Sequence, residues 1–124
     1  MKINLDQMAY EYAEKLFQNS EDDKKYKELE NVITDLLQIV IDDSLYTAYL
    51  FIKKKCENNN QFETVLYEYT VNILGETVVK NEDKNDLQSI ITMVNQDLYQ
   101  IFFVKDLWER MLTYARFIAK SRRN

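Results

Sequence analysis

A chain of 124 residues with one glycine, Gly75, and no proline lacks the residues that fold a β-sheet back on itself. Hairpin turns and bulges require positive φ at several positions, and glycine is their usual source. The expectation is therefore an all-α fold whose breaks are made by Asp, Asn and Ser, which compete with the helix for backbone groups. The length suits a single helical domain over residues 1–124, and 46% apolar residues are enough for an ordinary core. Histidine is also absent. Imidazole acid–base chemistry, imidazole metal ligands and glycine-rich phosphate cradles all go with these absences. An enzyme, a cofactor and a small-molecule substrate are not expected.

Apolar residues recur with helical period along most of the chain, which predicts a compact bundle of five to six helices. Leu5, Met8, Ala9, Tyr12, Ala13 and Leu16 form a first stripe, with Asn4 as its cap. Tyr26, Leu29, Ile33, Leu36, Leu37 and Val40 form a second, opened by Asp22 or Asp23. Asp42, Asp43 and Ser44 break it, and Leu45, Ala48, Tyr49, Ile52 and Cys56 carry a third, with Lys53, Lys54 and Lys55 at its end. Phe62, Val65, Leu66, Tyr69 and Ile73 mark a fourth, closed by Gly75 as a left-handed C-terminal residue. Residues 76–85 are expected to be a loop. Leu87, Ile90, Ile91 and Val94 make a short fifth helix, and Asn95 is the expected cap of a sixth through Val104, Leu107, Met111, Ala115 and Ile118 toward Lys120.

Three acidic pairs, Asp22/Asp23, Asp42/Asp43 and Glu82/Asp83, fall in loops or at helix starts, where a carboxylate accepts orphan N–H bonds. Capping explains them without a metal. Glu11 and Glu14 give an ExxE pattern without the histidine partners of di-iron bundles, and the acidic run 82–86 lacks the spacing of a calcium loop. One cysteine, Cys56, supplies neither a disulfide nor a zinc set. A reducing, cytoplasmic setting is expected. The longest uncharged stretch, residues 87–96, is ten residues, against the ~18 that a membrane helix needs. No membrane partner follows.

Sixteen cations face 21 acids, for a net charge of −5, yet the two signs are not evenly spread. Arg110, Arg116, Lys120, Arg122 and Arg123 lie in a stretch free of acids, so residues 1–109 hold eleven cations and all 21 acids. An acidic body with a basic end and a lysine triplet allows nucleic-acid contact only locally. Tyr10, Tyr46, Tyr67 and Trp108 fall off the apolar phase of their helices and are candidates for a protein interface, where Tyr and Trp are enriched.

Taken in order, the helices resemble one family. Asp6-Gln7-Met8-Ala9-Tyr10-Glu11-Tyr12-Ala13, Lys24-Lys25-Tyr26-Lys27 with Ile33, Leu36 and Leu37, Ser44 through Lys55, Leu66-Tyr67 and Tyr114 through Lys120 are similar to the small all-helical subunit of type III-B CRISPR effector complexes, the Cmr or RAMP module. Where that family has an Asn-Gly-Leu turn, this chain has Asp43-Ser44-Leu45, which keeps the cap and loses the glycine. The resemblance implies a non-catalytic subunit for antiviral defence. Its implied partners are other Cmr subunits, further copies of itself, and the duplex of guide RNA and target RNA. It further implies that copies stack head to tail as an inner filament and help hold the target RNA along the guide RNA. On the matching positions, Lys53, Lys55 and Arg116 are the expected RNA-binding residues, and charge alone adds Lys54, Lys120, Arg122 and Arg123. The competing expectation is an acidic helical adaptor or inhibitor that binds only protein partners.

Overall fold

The computed structural model describes residues 4–17, 23–55, 61–74 and 87–122. These form six helices, α1 (Leu5–Lys15), α2 (Asp23–Asp42), α3 (Leu45–Lys55), α4 (Gln61–Leu74), α5 (Leu87–Val94) and α6 (Leu98–Arg122). No strand occurs among the described residues, and the helices pack as a compact all-α bundle.

Side-chain caps mark the starts of α1, α3 and α6. Asn4 adopts extended backbone angles before α1, and its side chain accepts a hydrogen bond from the Gln7 N–H at 3.0 Å. Ser44 does the same for α3, its Oγ accepting from Thr47 N–H at 3.1 Å. At α6 the expected cap moves by two residues. Asp97, not Asn95, accepts from the Tyr99 N–H through Oδ1 at 2.9 Å, and its carbonyl accepts from Ile101. Asn95 instead continues the last turn of α5, its N–H donating to the Ile91 carbonyl. A carboxylate is a cap at least as good as an amide, and it also complements the positive end of the helix. Gly75, Cys56, Asp22, the Glu82/Asp83 pair and residues 76–85 lie outside the described residues.

The long α6 organises the bundle, packing most extensively against α2 and α1. Trp108, Leu107, Met111, Leu112, Ala115 and Ala119 on it are fully buried. In the same core lie Ala9 and Ala13 from α1, Leu16 just after it, and Ile33, Leu36 and Val40 from α2. The largest side chains buried in this core are Trp108 of α6 and Tyr69 and Phe62 of α4.

Two polar links cross that core between α4 and α6. The Trp108 indole Nε1–H donates to Thr70 Oγ1 at 2.8 Å, and the Thr70 hydroxyl donates to the Leu66 carbonyl at 2.7 Å. Beside it the Tyr69 hydroxyl donates to the Leu107 carbonyl at 3.1 Å. Burial holds the Tyr69 phenol protonated, well above its ordinary range. Its ring lies 5.3 Å from that of Tyr12, whose hydroxyl in turn accepts from Asn72.

Candidate functional site

Trp108 is therefore a core residue and not a surface aromatic: it is fully buried, with its one polar atom satisfied inside the bundle. The reason lies in how α6 is placed. At about 100° per residue, Val104, Leu107, Met111, Ala115 and Ile118 span about 80° of the helix, a stripe wide enough for one partner. Because α6 packs on both α1 and α2, its buried arc widens to about 140° and takes in Trp108, Leu112 and Ala119.

The tyrosine candidates go to different places. Tyr10 on α1 is half exposed and meets Tyr114 of α6 edge to face at 6.0 Å, with its hydroxyl on Glu14. Tyr46 on α3 is exposed and donates to Thr92 Oγ1 of α5 at 3.2 Å. Tyr67 on α4 is partly buried and packs against the core. They do not form one surface.

The cations divide between two helices. Lys53, Lys54 and Lys55 are exposed in the last turn of α3, where positive charge complements the helix C-terminus. Lys53 pairs with Glu63 of α4 at 3.7 Å and its ammonium lies 5.7 Å above the Tyr49 ring. The Glu63 carboxylate holds Lys53 above its usual ammonium range. On α6, Arg116 is half buried, with its Nε shielded from solvent and unpartnered, and Lys120 one turn later is exposed. Arg122 ends α6, but its side chain, like all of Arg123, lies outside the described residues. Arg110 is already engaged, bridging Asp6 of α1 at 3.3 Å and Asp106 of its own helix at 3.1 Å. Cations bound to nearby carboxylates have less to offer a phosphate.

The feature that sequence reasoning missed lies at the start of α6. Leu98, Tyr99 and Phe102 are 63%, 85% and 62% exposed, and Phe103 is 38% exposed. Asp97 fixes the first turn, and the core contacts of Ile101 and Val104 then rotate these four side chains outward. Phe117, further along the helix, is also open to solvent. Contiguous exposed aromatics of this kind mark interaction sites, since apolar surface is unfavourable in water and favourable against a partner. In sequence they read as ordinary helix apolars, and only the direction of Val104 and Trp108 shows that they face away from the core.

Among the described residues no group of three or more His, Cys, Asp or Glu is placed to hold a metal ion, and no helix is long and apolar enough to cross a membrane. No protein-family model, curated protein or solved structure matches the chain.

Proposed function

We propose that this chain is a non-catalytic helical subunit that works by docking onto other proteins, with the first two turns of α6 as its contact surface. The observation that carries the reading is the exposed run Leu98, Tyr99, Phe102 and Phe103, an aromatic patch on a helix whose opposite side is fixed in the core. The acidic body of the chain adds to it, because net charge −5 opposes unaided binding to a polyanion. Such a subunit is an acidic helical adaptor or inhibitor that binds only protein partners.

The second reading, a small subunit of a type III-B CRISPR ribonucleoprotein, draws on the sequence resemblance and on one structural observation. Lys53, Lys54 and Lys55 are all exposed on the end of α3. Lys53 is already paired with Glu63, so Lys54 and Lys55 beside it are the groups that suit phosphate contact without sequence readout, the guide supplying specificity by base pairing. In that setting a protein face on α6 and a phosphate face on α3 serve the same subunit.

Affinity capture of the tagged chain from its native host, followed by identification of bound protein and RNA, tests both. The docking reading expects defined protein partners that are lost when Tyr99 and Phe102 are both replaced by Lys. Retention of every partner by that variant would overturn it. Recovery of guide RNA with large backbone subunits supports the ribonucleoprotein reading, and capture of protein alone refutes it. Within such a complex, Lys53→Glu with Lys55→Glu should weaken target-RNA binding and flatten its salt dependence.

A further inference from the structure

The outer face of α6 carries more than a patch at its start. Tyr99, Phe103, Asp106, Arg110, Thr113 and Phe117 follow one another at spacings of four, three, four, three and four, the repeat that keeps one edge of a helix facing a second helix. Tyr99, Asp106 and Phe117 are well exposed, and Phe103, Arg110 and Thr113 are partly exposed. The row lies opposite Trp108, Leu112 and Ala115, and within the bundle Arg110 reaches from it to Asp6 of α1 at 3.3 Å. From Tyr99 to Phe117 it spans 19 residues, about 27 Å between the two ends at the rise of an α-helix.

The row is also complementary to itself when reversed. Set against a second copy in antiparallel orientation, with the two-fold axis at the level of residue 108, Asp106 of each chain faces Arg110 of the other. Tyr99 then faces Phe117, and Phe103 faces Thr113. Two opposite-charge pairs sit at the centre and two aromatic pairs at the ends. A parallel arrangement would instead set Asp106 against Asp106 and Arg110 against Arg110, which like-charge repulsion disfavours. The Asp106–Arg110 bridge at 3.1 Å holds both groups on this face, and Arg110 also bridges Asp6 of α1 at 3.3 Å, so the contact with a second copy shares charges that are already paired within each chain.

We infer that this face pairs with a second copy of the chain, α6 against α6, antiparallel about a two-fold axis. The inference rests on the docking reading of α6 and names its occupant. Such a contact is isologous and closes at two copies, unlike a head-to-tail contact, which propagates. A single helix pair of this length buries less than a standard interface, so a weak, concentration-dependent dimer is expected rather than a permanent one.

Sedimentation equilibrium of the intact chain over micromolar to millimolar concentrations tests the pairing. The wild type should dimerise. Asp106→Arg and Arg110→Asp, each alone, should weaken dimerisation at least about tenfold by setting like charges face to face. An equimolar mixture of the two variants should recover a dimer, because each then presents the charge that the other lacks. That recovery is a readout that an unfolded chain does not give. Tyr99→Lys, at a position 85% exposed and so neutral to folding, should also weaken the pair. A wild type that stays monomeric throughout, or a mixture that stays monomeric when both variants keep their helicity, overturns the inference. Neither result touches the docking reading, which stands or falls on partner capture by the Tyr99/Phe102 variant.

Discussion

Replacing Thr70 by Val keeps the shape of the side chain and removes the oxygen on which the Trp108 indole depends. Thr70 Oγ1 is the acceptor for Nε1–H at 2.8 Å, and both residues are fully buried. The Leu66 carbonyl, which Thr70 also contacts, stays within the helical ladder and is not orphaned. The loss is therefore that of one buried donor left without a partner, about 1–3 kcal/mol, centred near 2. For a chain of this length that corresponds to a fall in Tm of about 8 °C. Trp108→Phe removes the donor together with part of the ring, and the space left behind costs about 2–3 kcal/mol. In the double variant no donor remains to be orphaned, so its cost should fall below the sum of the single ones by about 1–2 kcal/mol. Urea unfolding followed by far-UV circular dichroism measures all four proteins, and is preferred to fluorescence because Trp108 is the only tryptophan. A Thr70→Val variant within about 0.5 kcal/mol of wild type, or strict additivity in the double variant, would refute the reasoning.

Asn4→Ala and Ser44→Ala each remove a side-chain acceptor at a helix start and should cost about 1 kcal/mol, read as a lower denaturation midpoint with unchanged slope. Asp97→Ala should cost a similar amount, whereas Asn95→Asp should not recover it, because the α6 cap is at Asp97. Tyr69 should resist ionisation in ultraviolet titration of the folded chain, since burial raises its pKa above the ordinary value near 10. The raised folded value means that its contribution to stability is whole below pH ~10 and is lost as pH rises further; Tyr69→Phe should flatten that alkaline decline. Phe102→Lys at an exposed position should leave stability within about 0.5 kcal/mol of wild type, and a larger loss in thermal unfolding would show that the side chain is not free of the bundle.

What was legible in the sequence was what local chemistry decides. Asn4 and Ser44 act on N–H groups three residues away, so their capping roles need no knowledge of the fold. The stripes of α1, α2 and α5 likewise show which residues are buried, because each of these helices hides one face. Two features of α6 were not legible, and for the same reason. A helix held between two neighbours buries a wider arc than one amphipathic stripe suggests, which drew Trp108 inward. The opposite face then had to carry Tyr99, Phe102 and Phe103, which hydrophobicity alone would place inside. Arg110 shows the limit for charge. It belongs to a basic stretch in sequence, yet its carboxylate neighbour Asp6 is 104 positions away.

That separation bears on how the protein comes to be made. The surfaces of α1 and α2 are closed by α6, and α1 through α5 all leave the ribosome before α6 does. Until then Ala13, Leu16, Ile33 and Leu36 have no permanent cover, and the nascent chain holds helices without a finished interior. Shortened chains ending before α6 should therefore be substrates for chaperones and proteases rather than small folded units. A fault in α6 then affects the abundance of the protein as well as its contacts.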